Sequence, residues 1–342
     1  MRPSFMHVGV ICEHSDPGRG GAERYLRALA ARFRARGHRV TVCARTGPEA
    51  RPVRGWPPAL RPGYYAREFL PFLRDEGAER VLATVPVPGC DFYQPHNGLL
   101  SVCIPAHLDP VPAPWRHLRR ANPVRGIHFA VLRGFEDRCY RPPAKVLALS
   151  PRVVEDLAGL YPDARSVLTR PGVDLGRFAP GGARDGPDML FVAHNFRLKG
   201  LATVLRALDR LPDRRLLVVG RDRPVPHPRA EYRSDDADLP ALFRSARVVV
   251  HPTWYDTASL VVLEALASGT PVITSMRDGN ADLAVEGGGA AVNDPGDDEA
   301  LARAIEAVAA SADPGRARAV AERYGEQAML DRVVEVVCGS AS

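Results

Sequence analysis

Two basic residues follow a buried-looking apolar run in the second half of the chain. A strand is expected to end at Ala193, and Arg197-Leu198-Lys199-Gly200 stand between it and a helical pattern. Lys199 is one of only two lysines among 46 basic residues, so the choice of lysine over arginine at this position is informative. An ammonium is a compact point charge with three donors, and beside a helix start it suits a diphosphate. The alternative is a solvent-facing basic turn.

Two acids eight residues apart mark the segment from His251 to Ala265. Asp256 is expected in a loop before a helix, and Glu264 two turns inside that helix, within the apolar stretch VVLEALA. An acid inside an apolar helix is costly unless a partner satisfies it. The helix start would offer free N–H groups to a phosphate, from Thr257, Ala258, Ser259 and Leu260. Alternatively, Asp256 merely caps the helix and Glu264 pairs with an arginine.

A glycine-rich turn, Gly18-Arg19-Gly20-Gly21, follows the first apolar run and opens a helical pattern. Free N–H groups at a helix start attract anions, and glycine lets a ligand approach the backbone. A nicotinamide-binding fingerprint would need a third glycine where Glu23 stands, which disfavours a dehydrogenase. A plain tight turn is the other interpretation.

His96 lies in a Pro/Gly-rich loop, residues 88–98, after a strand expected at residues 79–85. A histidine at a strand end could orient a substrate hydroxyl or contact a sugar. A purely structural histidine is the alternative.

The elements that would position these residues alternate between strand and helix patterns. In the first half, strands are expected at residues 6–12, 38–44, 79–85 and 144–150. A Gly/Pro-rich linker, Arg170 to Pro187, precedes a second alternation of the same kind. Such alternation predicts an α/β fold with two parallel-sheet domains and a cleft between them, with ligands at the carboxyl ends of the strands.

Composition excludes several classes of protein. The chain has 342 residues, 45% of them apolar, and no apolar run near the roughly 20 residues that a membrane span needs. The net charge of +6 is too small to indicate nucleic-acid binding. The six cysteines form no C-x-x-C pair, so buried thiols are expected. The apolar start is too short for a signal peptide, which predicts a cytoplasmic location.

The stretch 113–145 concentrates arginines with interleaved aromatic residues. It is either a solvated basic helix or a surface for anionic lipid headgroups or an anionic acceptor. Asp236-Ala237-Asp238 is similar to a D-x-D metal motif, but it precedes a helical pattern, so Asp238 is expected to be a helix cap.

Five segments, in this order and at these spacings, resemble the family-4 retaining glycosyltransferases. They are GGAERYLRALA (20–30), LALSPRVVEDL (147–157), RPGVDLGRFAP (170–180), FVAHNFRLKGLATVLRAL (191–208) and the segment 251–274. The resemblance runs from the first strand to about residue 310. Within the family, residues 251–275 and 80–93 are most like enzymes that glucosylate the lipopolysaccharide core.

The resemblance implies a GT-B fold with two Rossmann-like domains facing a cleft. Residues 1–175 would form the acceptor-side domain and residues 176–322 the nucleotide-sugar domain. Residues 323–342 would form a helix that crosses back to pack on the first domain.

The resemblance also implies roles for the donor-side residues. Arg197 and Lys199 would hold the donor diphosphate and stabilise the leaving group. Glu264 would bind the ribose hydroxyls, and Asp256, which replaces the usual glutamate of the family, would touch the sugar. The backbone of Thr257 to Leu260 would contact phosphate and sugar.

On the other side of the donor, Gly20 and Gly21 would line the phosphates, and His96 would lie by the anomeric carbon and the acceptor. The implied reaction is hexose transfer with retention, from a nucleotide sugar, expected to be a UDP-sugar, to a saccharide or glycolipid. Lipopolysaccharide core or another cell-surface glycan is the expected acceptor, with no metal or cofactor. Transfer to a soluble small molecule, or sugar-nucleotide binding without catalysis, are the alternatives.

Overall fold

Two six-stranded parallel sheets organise the chain in the computed structural model, which describes residues 5–18, 20–51, 57–182, 185–234 and 237–339. The described residues of the first unit come from Met1–Ile104, Ala113–Pro171 and Gln327–Ser342, and those of the second from Pro105–Pro112 and Gly172–Glu326. The longer segment of the second unit, Gly172–Glu326, begins and ends within four residues of the expected 176 and 322. The second unit also includes Pro105–Pro112, which the sequence had assigned to the first domain.

The first unit contains six strands, in the sheet order β2-β1-β3-β4-β5-β6. They are β1 (His7–His14), β2 (Arg39–Thr46), β3 (Arg80–Ala83), β4 (Phe92–Tyr93), β5 (Lys145–Ala148) and β6 (Arg165–Leu168). The helical segments are α1 (Gly21–Ala35), a 3-10 turn (Pro58–Leu60), α2 (Arg61–Tyr64), a π-helical turn (Tyr65–Phe69), α3 (Leu70–Asp75), α4 (Leu100–Leu108), α5 (Ala113–Ala121), α6 (Pro123–Cys139) and α7 (Pro151–Leu160). Helix α4 continues into the part of the chain that belongs to the second unit.

Continuous apolar runs form the strands because helices cover both faces of a parallel sheet. The first six residues of β1 are all buried. Its neighbour α1 buries Leu29, Ala30 and Phe33, whose spacing places them on one face of the helix. The α/β alternation predicted for this half is confirmed.

The second unit repeats the architecture, with the sheet order β12-β11-β10-β7-β8-β9. Its strands are β7 (Met189–Val192), β8 (Leu216–Val219), β9 (Ala230–Arg233), β10 (Val248–Val250), β11 (Val272–Ser275) and β12 (Ala290–Val292). Its helices are α8 (Leu201–Asp209), α9 (Leu239–Ser245), α10 (Leu260–Ala267), α11 (Ala281–Glu286), α12 (Asp298–Ala310) and α13 (Pro314–Glu322). All pairings are parallel, so the predicted second parallel sheet is confirmed.

The last helix, α14 (Glu326–Cys338), packs on the first unit. Its buried side chains Leu330, Val333, Val334 and Val337 join a core that includes Val8 and Phe33. Asp331 accepts hydrogen bonds from Arg32 of α1 and from Arg36, which directly follows that helix, and these contacts lower the pKa of Asp331 to about 2. Apolar burial and a charge network therefore both hold this helix to the sheet of the first unit.

Candidate active site

The turn between β7 and α8 presents Arg197 and Lys199 at the carboxyl edge of the second sheet. Asn195 holds this turn, because its backbone carbonyl accepts from the Lys199 N–H (3.0 Å) and its side-chain oxygen accepts from the Leu198 N–H (3.0 Å). The Arg197 side chain is exposed and lines an open depression with Asp222. Ligands of open α/β sheets bind at this edge.

Gly200 brings the turn against the segment that follows β10. Its φ of +83° is in the left-handed region, and a Cβ at this position would lie 2.3 Å from the carbonyl oxygen of Pro252. The Trp254 N–H donates to the Leu198 carbonyl at 2.8 Å. These contacts position Lys199 next to Asp256.

Lys199 and Asp256 form an ion pair, and the Lys199 ammonium also lies 3.4 Å from the Tyr255 carbonyl oxygen. Burial by itself raises the pKa of Asp256, but the Lys199 charge and hydrogen bond outweigh it and lower the pKa below its usual value. Both side chains are 19% exposed, so solvent and ligands can reach the pair. A phosphate that enters this site could therefore replace Asp256 as the partner of the Lys199 ammonium.

His251 lies beside this pair, although the sequence analysis did not single it out. Its ring is buried, with Nε2 4.0 Å from the Asp256 carboxylate, and neither ring nitrogen makes a hydrogen bond within the described residues. Burial, assisted by the Lys199 charge, lowers the pKa of His251 to about 3. The imidazole is thus neutral at physiological pH. Its position directly after the buried strand β10 was the available signal.

The start of α10 differs from the expectation in two respects. The helix begins at Leu260, so Glu264 is about one turn inside it rather than two. The second difference is that carboxylates already take two of the amides expected to be free: the Ala258 N–H donates to Asp256 (3.2 Å) and the Ser259 N–H to Asp278 (3.3 Å). Glu264 is 8% exposed, as expected for an acid held inside an apolar helix.

Asp278 is a second site carboxyl that the sequence analysis missed. It follows β11, is buried, and accepts the N–H groups of Ser259 and Asn280. Burial first, and the nearby Asp256 charge second, raise the pKa of Asp278 to about 7. Because β7, β10 and β11 are neighbours in the sheet, the segments that follow them bring Lys199, Asp256 and Asp278 together.

In the first unit, His96 belongs to a chain of hydrogen bonds after β4. Its Nε2 lies 3.0 Å from Oε1 of the buried Gln94, whose Nε2 donates to the Tyr25 hydroxyl of α1 at 3.0 Å. The Tyr25 and His96 rings lie 5.4 Å apart. Burial lowers the pKa of His96 to about 4, so this imidazole is also neutral at physiological pH. Gln94, two residues before His96, is a partner that the sequence analysis did not identify.

Gly20 and Gly21 form the start of α1. Gly21 is the first helical residue, and Gly20 before it is extended and makes no side-chain cap. Gly20 has no side chain that could cap this helix start, and backbone amides at such a start can bind an anion. Arg19 lies outside the described residues.

The basic stretch forms two helices, α5 and α6, which we call the basic helix pair (Ala113–Cys139). Four large apolar side chains on it are each more than 60% exposed: Trp115, Leu118, Val124 and Ile127. Arginines alternate with them along the helices. None of the helices in the described part of the chain is long and apolar enough to cross a bilayer.

The structure describes only part of the segment that is similar to a D-x-D motif, residues 236–238. Asp238 accepts the Ala241 N–H at 3.2 Å at the start of α9, so its prediction as a helix cap is confirmed. Asp236 lies outside the described residues. Within the described ranges, no cluster of three or more His, Cys, Asp or Glu side chains could hold a metal ion.

Two family models together match most of the chain, from residue 19 to residue 311 with a short gap. The model described as Glycosyltransferase Family 4 matches residues 19–177, and the one described as Glycosyl transferases group 1 matches residues 186–311.

Among curated proteins, the chain is similar to a phosphatidyl-myo-inositol mannosyltransferase of Mycobacterium tuberculosis. The two are 28% identical over 301 residues, covering 80% of this chain and 78% of the relative. A D-inositol 3-phosphate glycosyltransferase of Xylanimonas cellulosilytica is 31% identical over 228 residues, 52% of this chain and 53% of that protein.

Solved structures share the fold. WaaG, a glycosyltransferase involved in lipopolysaccharide biosynthesis, superposes with a TM-score of 0.78 at 21% identity, covering 97% of this chain and all of the other. Anabaena Alr3699/HepE in complex with UDP-glucose superposes with a TM-score of 0.69 at 16% identity, covering 97% of this chain and 99% of that one. The two parallel-sheet units thus have the architecture of the GT-B glycosyltransferases.

Proposed function

Because the chain belongs to glycosyltransferase family 4, we propose that it transfers a hexose from a nucleotide sugar to a saccharide or glycolipid acceptor, with retention and without a metal ion. The observation that carries this proposal is the Lys199–Asp256 pair beside Arg197 at the carboxyl edge of the second sheet. A UDP-sugar is the proposed donor, supported by the UDP-glucose that the similar HepE structure holds.

The donor would bind with its diphosphate at the two cations. Arg197 is exposed and Lys199 reachable, so both can neutralise phosphate charge and stabilise the departing diphosphate. Asp256 would then exchange its ion pair with Lys199 for hydrogen bonds from sugar hydroxyls. Glu264, held inside α10, would accept hydrogen bonds from the ribose hydroxyls.

In the transfer step, the acceptor hydroxyl would attack the anomeric carbon on the face of the leaving group. The new carbon–oxygen bond forms as the bond to the diphosphate breaks, and a departing phosphate oxygen takes the hydroxyl proton. For this route the protein must hold donor and acceptor in the right position and supply positive charge. It does not need a carboxylate base. His96, neutral and fixed by Gln94, would hold the acceptor hydroxyl by hydrogen bonding.

The first test is a thermal-shift screen with UDP-, GDP-, ADP- and dTDP-sugars in the presence of EDTA. A ligand at about 100 times its Kd stabilises the native state by about 2.7 kcal/mol, so a cognate donor raises Tm clearly. We expect one nucleotide to do so without metal. A donor that stabilises the protein only when a divalent ion is added would contradict metal independence, and the anomeric configuration of the product, read by NMR, tests retention.

The basic helix pair supports an acceptor at a membrane surface. Its exposed apolar side chains could enter the headgroup region, while its arginines attract anionic lipids. The similarity to a mannosyltransferase named for the phospholipid phosphatidyl-myo-inositol favours an acceptor that carries a lipid. We therefore propose peripheral binding to an anionic membrane, with lipopolysaccharide core or another cell-surface glycan lipid as the acceptor.

Binding to vesicles of phosphatidylglycerol and phosphatidylcholine is expected to depend on this surface. Each basic residue near an anionic membrane contributes about 1 kcal/mol, so the double variant Arg119→Ala/Arg120→Ala should bind roughly thirtyfold more weakly. The matched control is Arg27→Ala/Arg34→Ala, two exposed arginines on α1 of the same unit. Flotation or co-sedimentation at low and high salt gives the measurement. Equal losses in both double variants would mean that net charge, not this surface, drives binding.

A second candidate keeps the transfer but uses a soluble small-molecule acceptor. The similarity to a D-inositol 3-phosphate glycosyltransferase supports it. Under this alternative, vesicle binding would be weak in the wild type and unchanged in the arginine variants, while donor binding would be retained.

A further inference from the structure

Asp278 ties together the two segments that form the candidate donor site. Its Oδ1 accepts the N–H groups of Ser259 (3.3 Å) and Asn280 (2.9 Å), and the Asn280 side chain donates to the Ser259 carbonyl at 3.0 Å. The backbones of the two segments also pair, because the Asp256 N–H donates to the Arg277 carbonyl (3.2 Å) and the Gly279 N–H to the Asp256 carbonyl (2.9 Å). Asp278 therefore fixes the backbone that carries Asp256 and leads into α10.

The hydrogen-bond geometry accommodates a proton on Asp278. The Thr274 hydroxyl lies 2.9 Å from the His251 carbonyl oxygen and 2.9 Å from Oδ2 of Asp278. A hydroxyl has one hydrogen, and a carbonyl can only accept. If Thr274 donates to His251, then Oδ2 must supply the hydrogen of the second contact. A carboxylic acid at Asp278 makes both hydrogen bonds at once.

The charges around Asp278 favour the same state. Asp256 is the adjacent carboxylate, and a second negative charge in this buried position would compete with it for Lys199. Burial and Asp256 together raise the pKa of Asp278 to about 7, against the weaker opposing effects of the Asn280 N–H, the Lys199 charge and the Thr274 hydroxyl. His251 remains neutral, Arg277 is paired with Asp109 at 2.5 Å, and Asp282 of α11 is exposed. From α10, Glu264 is the ionisable side chain of the helix interior.

We propose that Asp278 is a positioning residue for donor binding that works as a neutral carboxylic acid. Its carbonyl oxygen holds the Ser259 amide, and its hydroxyl holds Thr274. Loss of its proton adds a negative charge near Asp256 and Lys199, which would strengthen the hold of these carboxylates on the ammonium against the donor diphosphate. The inference rests on the proposed function, because it assigns Asp278 to the donor site.

The test compares Asp278→Asn, which is neutral at every pH, with Asp278→Ala and with the control Asp282→Asn. Affinity for UDP and for GDP is measured by calorimetry from pH 6 to 9. When binding requires one proton, affinity falls by up to tenfold per pH unit above the pKa of that group. In the wild type and in Asp282→Asn we expect a fall on the order of tenfold that Asp278→Asn does not show. Asp278→Ala should bind more weakly at every pH.

A ligand-free measurement separates this inference from the proposed function. A carboxyl whose pKa is raised in the folded state releases its proton on unfolding above about pH 4, the ordinary pKa of aspartate, so stability falls as pH rises towards 7 and is then level. The Tm of the wild type should therefore fall relative to Asp278→Asn between pH 4.5 and 7.

The outcomes divide clearly. If no nucleotide binds the wild type, the proposed function fails and with it the positioning role, whereas the Tm comparison still decides whether Asp278 carries a proton. A wild-type pH profile in Asp278→Asn, UDP affinity unchanged in Asp278→Ala, or a Tm difference that is constant with pH overturns the inference.

Discussion

Replacing Lys199 with alanine is expected to weaken binding of the donor diphosphate by about ten- to a hundredfold and to lower kcat by a further 10²–10³. A hydrogen bond to a charged group contributes roughly 1.5–3 kcal/mol, which accounts for the loss of affinity. Removal of one group that stabilises charge developing in the transition state lowers kcat by about 10²–10³. The variant also leaves Asp256 without its cation, so its carboxylate would repel the incoming phosphates. Calorimetry with the nucleoside diphosphate and a radiolabelled transfer assay measure the two effects.

The chain supplies a matched control in its other lysine. Lys145 begins β5, at the opposite end of a parallel strand from the ligand-binding edge, so Lys145→Ala should bind and transfer as the wild type does. The double variant Lys199→Ala/Asp256→Asn removes the repulsion but not the lost hydrogen bonds, and should recover diphosphate affinity in part. Wild-type donor affinity in Lys199→Ala would exclude this lysine from the donor site.

Replacing Glu264 with glutamine is expected to weaken donor binding by roughly 10- to 150-fold with little change in fold. The glutamine has the same shape, but it loses the negative charge that would accept the ribose hydroxyls, and charge-assisted hydrogen bonds contribute about 1.5–3 kcal/mol each. The decisive measurement is a comparison of UDP with 2′,3′-dideoxy-UDP. Removal of the hydroxyls should weaken binding to the wild type strongly and binding to Glu264→Gln only slightly. The variant has already lost its contact with these hydroxyls, and the free-energy effects of two groups in contact do not add.

Glu306→Gln is the control for this variant, since Glu306 is an exposed acid on α12 of the same unit. It should show the wild-type preference for the ribose hydroxyls. An equal loss on deoxygenation in the wild type and Glu264→Gln would show that another group holds the ribose.

Much of the fold could be predicted from local sequence pattern. Strands such as β1, β8 and β10 are continuous apolar runs, and α1 and α8 have a regular apolar face, so their type follows from residues close in the chain. The short strands β4 and β12, of two and three residues, were not predicted. Such strands have too few residues for a period, and pairing with neighbours that are distant in sequence creates them.

The candidate site could likewise be predicted from the sequence only in part. Arg197, Lys199, Asp256 and Glu264 could be chosen from residue type and spacing, because a cation after a strand and an acid in an apolar helix are unusual locally. Their roles as ligands of a donor came from the family resemblance. The start of α10 was misjudged by about one turn, and the carboxyls of Asp256 and Asp278 take amides that the local pattern left for a phosphate.

Residue type and spacing were enough to predict two α/β alternations and to single out the basic and acidic groups for chemistry, while the family came from the resemblance of five segments. Which of those groups meet depends on strand order, since β7, β10 and β11 are adjacent although they are far apart in sequence. That order brings Lys199 to Asp256 across 57 residues and buries His251 and Asp278 beside them. Local periodicity acts over a few residues and carries no information on strand order, whereas burial and charge pairing act between neighbours in space.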